Sequence, residues 1–376
     1  MSKTKIPNKV STRLWGKSSG RCEYEGCNCI LWRDEVTKFE FNSSYIAHIV
    51  ADEPSGPRGD VVLSPRLAKD LNNLMLLCDK HHRLIDVEDV VGHPVERLLE
   101  MKRKHEERME VLSGIKSDKA SHIVLFGANI GHHSPVLNYQ LAANAMYPEW
   151  YPASAQSTEL SLINSLEKDS SPQYWMLQER NLKDQLNGSL IPLIRTSGIS
   201  HLSVFALAPQ PLLILLGIQL NDILPLAVYQ KHREPDTWVW QEAEDFEHQF
   251  QILQRKPSVV ALNFSMSATI TNDRIERVLG KDCSIYTLTH ERPGNDYLKS
   301  KQILSDFRVQ IRQLFDKIKT VHGHGTVLHV FPAMPVSAAI EFGRIWMPKA
   351  DMPLVIYDEN RALGGFVKAF EINHSL

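Results

Sequence analysis

Leu-His-Val-Phe-Pro-Ala-Met-Pro-Val-Ser-Ala-Ala-Ile-Glu-Phe-Gly, running from Leu328 to Gly343, decides the fold of the larger part of this chain. The apolar run Val327 to Phe331 reads as a strand, and Pro335 stands where that strand stops and a helix starts, a place proline favours because its fixed φ suits a first helical turn. The same device stands earlier. Phe205-Ala-Leu-Ala-Pro209 followed by Gly217 repeats Phe331-Pro-Ala-Met-Pro335 followed by Gly343, with the Pro four and the Gly a further eight residues after the Phe. Each copy leads to another apolar strand ending in tyrosine, Tyr229 and Tyr357, so one strand, loop, helix, strand unit occurs twice.

Working outward, the apolar runs Ile123 to Phe126, Leu202 to Ala208, Val259 to Phe264, Ser284 to Leu288, Val327 to Phe331 and Leu354 to Tyr357 alternate with helical stretches. That order predicts βαβ units and a mainly parallel sheet, an α/β fold. Ligands of open α/β sheets bind beyond the carboxyl ends of the strands, where helix N-termini offer free N–H groups to anions. Two equivalent crevices suit a ligand with two phosphates, and the loops after the strands nominate Gln210, Ser265, Met266, Met334 and Ser337. Trp175, or Tyr174 beside it, is the candidate for stacking on a base. Lys231, His232 and Arg233 form a basic cluster that suits phosphates or a solvated strand end.

Before residue 92 the texture is different, loop-rich with short apolar runs; Pro94 then opens a charged helical pattern from Val95 to Leu112, ended by Ser113-Gly114. The chain of 376 residues, 43% hydrophobic, is long enough for two cores. We expect a first domain at 1–115, a linker at 116–121 and a second domain at 122–376. A formal charge of −2 argues against a protein coated in nucleic acid, yet Lys3, Lys5, Lys9, Arg13, Lys17 and Arg21 make a local cationic arm suited to phosphates. No run approaches the roughly 18 apolar residues of a membrane span, and the start is polar and basic, so a cytoplasmic protein without membrane contact is expected.

Four of the five cysteines precede residue 79. Cys22-x4-Cys27 and Cys78-x2-His81 are two pairs of soft donors on short loops, which is what a structural Zn²⁺ site needs for its tetrahedron. Cys29 is a spare able to replace Cys27. Cys283 stands apart and is expected to be a core thiol.

Between the pairs lie Tyr45-Ile-Ala-His48-Ile-Val, a loop holding Pro54, Gly56, Pro57 and Gly59, and Leu71-Asn72-Asn73-Leu74-Met-Leu-Leu-Cys78-Asp-Lys-His81-His82. This resembles the HNH, or ββα-metal, nuclease motif: a His ending a strand, an Asn-Leu opening a helix, and a His after the second zinc pair. The resemblance implies His48 as general base, its ordinary pKa lying near working pH. It implies His82 as ligand of a catalytic divalent ion such as Mg²⁺, with Asn73 orienting His48 or the metal, although His81 and His82 could exchange roles. Family members often carry an Asp just before the first His. Here that position is Ala47, leaving Asp52 and Asp70 as candidate carboxylates.

The second part, most clearly in Leu328 to Gly343 and the strand to Tyr357, resembles a SAVED domain. In order along the chain the whole is similar to the HNH-SAVED effector nucleases of bacterial CBASS antiphage systems. That resemblance implies a small zinc-containing ββα-metal domain followed by two fused CARF-like Rossmann subdomains. It also implies activation by a cyclic oligonucleotide, homo-oligomerisation and degradation of double-stranded DNA. The alternative, from another class, is a zinc-dependent DNA-binding or assembly module that has lost catalysis, joined to a nucleotide-binding scaffold.

Overall fold

The computed structural model describes residues 4–131, 133–163, 167, 169, 171, 173–221, 223–242, 249–253, 259–294 and 296–373. The chain divides into two compact units, Met1–Lys116 and Ser117–Leu376.

In the first unit, helix α1 (Asn8–Ser18) precedes strand β1 (Ser44–His48), short helix α2 (Leu63–Leu67), strand β2 (Leu74–Cys78), short helix α3 (Asp79–Arg83) and helix α4 (Val95–Gly114). β1 and β2 run antiparallel, Ser44 opposite Cys78 and His48 opposite Leu74. α3 starts directly after β2 and continues into a wider turn, Leu84–Glu88, whose hydrogen bonds skip one residue more than in an α-helix. The apolar side of the hairpin packs on Leu14, Leu31, Ile85 and Leu98.

The expectation of a helix opening at Asn73-Leu74 is corrected. Asn73 ends a short turn, Leu71–Asn73, and the next five residues are strand. Leu74, Met75, Leu76 and Leu77 are all fully buried. A run apolar on both faces has no one-sided helical period, and so suits a short strand covered above and below.

The second unit holds two sheets. In the first, β3 (Ala120–Ala128) carries β4 (Tyr151–Pro152) and β5 (Thr158–Leu162) as parallel partners, and pairs with β6 (Leu202–Leu207), which pairs with β7 (Leu226–Val228), all parallel. Helices α5 (Tyr139–Met146), α6 (Tyr174–Gln185), α7 (Ile191–Ser197) and α8 (Gln210–Leu220) connect them. The second sheet comprises β8 (Gln249–Leu253), β9 (Val260–Ser265), β10 (Ser284–Thr289), β11 (Leu328–Ala333), β12 (Leu354–Asn360) and β13 (Gly365–Ile372), in the order β13-β12-β11-β9-β10-β8. Its middle four strands are parallel and its two edges antiparallel. Its helices are α9 (Asn272–Leu279), α10 (Lys301–His322) and α11 (Val336–Ile345). All six apolar runs picked out in the sequence lie on strands, and Cys283 is buried.

The repeated unit is physical. Pro209 and Pro335 immediately precede α8 and α11. Phe205 stacks on Tyr229 with ring centroids 4.3 Å apart, and Phe331 on Tyr357 at 4.5 Å. Each pair is closed by an edge-on aromatic, Trp238 on Phe205 and Phe366 on Phe331. The two glycines meet reciprocally: a Cβ on Gly217 would run into the Ile340 carbonyl, and one on Gly343 into the Ile214 carbonyl. Only the absence of side chains there lets α8 and α11 approach backbone to backbone.

Candidate functional site

Four thiols converge in the first unit. The Sγ atoms of Cys22, Cys27, Cys29 and Cys78 lie within 4.8 Å of one another, all free of disulfides. His81 Nδ1 stands 3.6 Å from Cys22 Sγ and 3.3 Å from Cys78 Sγ, and Cys27 Sγ lies 3.5 Å from Cys29 Sγ. A tetrahedral zinc with bonds of about 2.3 Å to sulfur and 2.0 Å to nitrogen sets edges of about 3.5–3.8 Å. The donors therefore fit zinc, and five of them face four positions. Burial pushes the Cys22 thiol up, and that of Cys29 up to about 12, so gathering them as thiolates calls for a cation. The His81 ring is held by stacking on Tyr24, centroids 4.0 Å apart.

The same hairpin and the helix after it carry the residues expected to perform catalysis. His48 ends β1, is largely buried, and its Nε2 lies 2.9 Å from the Ala68 carbonyl oxygen. A carbonyl only accepts, so Nε2 is the donor here. Asn73 bonds Val50 rather than His48: its Oδ1 accepts from Val50 N at 2.8 Å, and its Nδ2 donates to Val50 O at 2.8 Å and to Leu67 O at 3.3 Å. It thereby fixes the chain two residues beyond His48. That indirect role replaces the expected direct bond, because the strand pairing of His48 with Leu74 points the amide at the loop after β1.

His82 turns away from the thiols. Its ring stacks on Tyr45 at 4.7 Å, and its Nε2 lies 3.3 Å from Asp86 Oδ2. Asp86 Oδ1 accepts from Arg58 at 2.5 Å. Arg58, itself nearly buried, also donates to the carbonyls of Ile49 (2.7 Å), Ile85 (2.7 Å) and His48 (3.4 Å). Burial alone would raise the Asp86 carboxyl; the neighbouring His82 and Arg58 outweigh it and hold the group below the usual carboxylate range. The two candidate carboxylates from the sequence are engaged elsewhere. Asp70 accepts from Asn72 N at 2.9 Å, and Asp52 from Thr4 N at 3.0 Å. Sequence reading missed Arg58 and Asp86. Asp86 had a signal, four residues after His82 on one helical face; Arg58, in a Pro/Gly loop, looked like a solvated charge.

In the second unit the nominated loop residues gather at the carboxyl ends of the strands. Gln210, the first residue of α8, donates from Nε2 to the Met334 carbonyl at 2.7 Å, just before Pro335. Ser337, in the first turn of α11, donates from N and Oγ to Gln230 Oε1 at 3.1 and 2.8 Å. Met266 N donates to Ala333 O at 2.9 Å, and Ser265 Oγ to Asn263 Oδ1 at 3.0 Å. The two helix N-termini are thus linked by one side chain, with Gln230 a further member the sequence reading did not name.

The stacking candidates do not join this group. Trp175 and Tyr174 are buried core residues, Trp175 lying edge-on to Phe370 at 5.5 Å, so their ring faces are covered by protein. The Lys-His-Arg cluster separates likewise: Lys231 pairs with Asp236, His232 is fully buried, and Arg233 is exposed.

Among the described residues no helix is long and apolar enough to cross a membrane. Comparison with curated proteins finds no match. Solved structures that match include the Acinetobacter baumannii Cap4 SAVED/CARF-domain containing receptor with the cyclic trinucleotide 2'3'3'-cAAA, at 12% identity and a TM-score of 0.44, covering 74% of this chain and 56% of that one. The same receptor with 3'3'3'-cAAA matches at 11% identity and 0.44, covering 78% and 66%. The Moraxella osloensis Cap4 receptor matches at 11% and 0.37, covering 74% and 59%. This chain thus spans 56 to 66% of the length of those proteins, and likeness at that distance transfers neither a residue nor an activity. The decisive match is to a family model, the SMODS-associated and fused to various effectors sensor domain, over residues 182–372. That segment is just over half of the sequence and contains both helix N-termini described above, and the chain belongs to the SAVED family.

Proposed function

We propose that this chain is a ligand-gated, metal-dependent DNA endonuclease, with the first unit an HNH-type nuclease and the second a sensor for a cyclic oligonucleotide. The observation that carries the nuclease reading is the state of His48. It ends the first strand of a strand, strand, helix unit with Nε2 donating to the Ala68 carbonyl, which leaves Nδ1 of a neutral ring as the atom to take a proton from water. His82 lies in the helix that follows the second strand, Asp79–Arg83. Asn73 keeps the chain after β1 in register, so that His48 stays aimed.

Zn²⁺ is the ion we assign to Cys22, Cys78, His81 and one of Cys27 or Cys29, in a structural role. His82 would hold a second divalent ion such as Mg²⁺, which would supply positive charge beside the scissile phosphate. The chain's own residues set the geometry around both. In the sensor, two helix N-termini joined through Gln210 suit a ligand with two or more phosphates. A cyclic oligonucleotide is such a ligand, the class seen in the Cap4 receptor. We place the protein as an antiphage effector of the CBASS kind that oligomerises on activation and degrades double-stranded DNA.

Plasmid DNA with Mg²⁺ and a panel of cyclic di- and trinucleotides tests this, with light scattering followed in parallel. Ligand should raise cutting and mass over one concentration range. His48→Ala should keep zinc and fold while losing roughly 10²- to 10⁴-fold in rate, the usual cost of a positioned base. Near wild-type cutting by that variant would sink the nuclease assignment. Full activity without ligand, at unchanged mass, would remove the gating alone.

A further inference from the structure

The nuclease reading leaves a gap where Ala47 stands, since a divalent ion held by one histidine lacks a carboxylate. Asp86 Oδ2 is 3.3 Å from His82 Nε2. A direct charge-assisted hydrogen bond is shorter, typically about 2.7–2.9 Å, whereas two ligands on one octahedral cation, each about 2.1 Å from it, stand about 3.0 Å apart. Both side chains keep about a quarter of their surface open, 25% and 22%. They lie one turn apart where α3 passes into the wider turn Leu84–Glu88, and such local widening recurs at functional sites.

The neighbours hold both groups in place. Tyr45 fixes the plane of the His82 ring from one face. Arg58 takes only Oδ1 of Asp86, leaving Oδ2 turned to the histidine, and its other donors tie it to the carbonyls that follow β1. Arg58 also sits at φ 56, a left-handed conformation that is unfavourable for a non-glycine residue and persists where surroundings enforce it. It therefore acts as a positioning residue between the His48 end of β1 and the His82 helix.

Resting on the nuclease reading, we propose that Asp86 is the carboxylate ligand of the catalytic cation, forming with His82 a His-x3-Asp pair that takes over from position 47, and that Arg58 orients it. Water fills the remaining positions, as Mg²⁺ sites usually allow.

Mn²⁺ is the probe, titrated into the full-length, zinc-containing protein and followed by electron paramagnetic resonance of the free ion. Wild type should bind one Mn²⁺ per chain. Asp86→Asn, which keeps an acceptor for His82 but loses the charge, should weaken binding by more than about 100-fold, beyond the roughly 10- to 100-fold cost of losing an outer-shell partner. Asp86→Glu should recover part of it, and Asp70→Asn should bind as wild type does. Zinc content and melting temperature serve as the folding control, and Asp86→Glu carries the test if the Asn variant is unstable. Equal Mn²⁺ affinity in Asp86→Asn and wild type, with His82→Ala still impaired, overturns Asp86 alone. Equal weakening by Asn and Glu also overturns direct ligation. No Mn²⁺ bound by wild type overturns the cation site and the nuclease reading with it.

Discussion

The two units reach a folded state by different routes. In the first, the apolar core is a small cluster around two five-residue strands, and much of the remaining order comes from polar groups: four thiols at one point with His81 beside two of them, Asn73 on Val50, Arg58 on three carbonyls. In the second, a continuous apolar core runs through both sheets and the helices between them. Small domains bury too little surface to be stable on that alone and commonly add a metal. Where the fold depends on polar and metal contacts, the groups that hold the structure also prepare the chemistry, so fold and function should fail together. Where the fold depends on apolar packing, the two should be separable.

The largest effect should come from removing the zinc proposed for the first unit. Structural zinc contributes on the order of 10–16 kcal/mol to small domains at neutral pH. Cys78→Ser, or a strong chelator, should therefore unfold Met1–Lys116 and leave the melting transition of Ser117–Leu376 in place. One tightly held zinc per chain is expected by elemental analysis. The proposed ligand set sharpens the comparison, since it needs Cys78 but only one of Cys27 and Cys29, so Cys27→Ser or Cys29→Ser should retain zinc where Cys78→Ser does not. Soluble, folded and active protein without zinc would break the distinction between the units.

In the second unit the weakest point to perturb is the glycine contact. Alanine usually favours a helix over glycine by about 1 kcal/mol. At Gly217 its Cβ would meet the Ile340 carbonyl, which belongs to a helix backbone and cannot rotate away. Overpacking of this kind costs about 3 kcal/mol and should win. Gly217→Ala should lower the melting transition of the second unit, and so should Gly343→Ala. The double variant should cost less than their sum, because α8 and α11 need separate only once. A rise in melting temperature in either single variant would mean the helices do not pack as closely as their backbones indicate.

This difference also governs how much could be read from the chain. The strands and helices of the second unit follow local apolar patterns, and the repeat is visible because each of its marker residues has a fixed structural role. Phe and Tyr stack on each other, Pro starts the helix, and Gly permits the close approach. The thiol cluster was legible too, since it is built from closely spaced pairs of soft donors. What escaped is what depends on contacts distant in sequence. Arg58 meets Asp86 across 28 residues, and no local pattern marks that pairing. Leu74 to Leu77 carries no period, so nothing local told strand from helix. The nominated loop residues lie at or just beyond the strand ends, but Ser265, Met266, Met334 and Ser337 are as buried as Trp175, because residue type alone does not tell a core side chain from an open one.

The smallest effect concerns protons. Burial lowers the pKa of His122, His201, His232, His290, His322 and His329, all in the second unit. His201 is the clearest case. Its ring stacks on Trp150 at 3.5 Å, and its Nδ1 lies 2.8 Å from Ser121 Oγ. Burial first, then the nearby cations Lys119 and Arg344, lower it from 6.5 to about 4. The folded state thus favours the neutral ring, so this contribution is complete above pH 6.5 and is lost as pH falls toward 4. Between about pH 7.5 and about pH 5.5 the loss is about 1 kcal/mol by linkage, which lowers the melting temperature of a domain this size by about 3 °C. His201→Phe keeps a ring against Trp150 but does not titrate. It should be less stable at neutral pH, for want of the Ser121 bond, yet should lose about 3 °C less than wild type on acidification. Calorimetric scans of the full chain at the two pH values measure both. An unchanged acid sensitivity in the variant would show that His201 is protonated as readily in the fold as outside it, and that burial in the second unit does not exclude the proton.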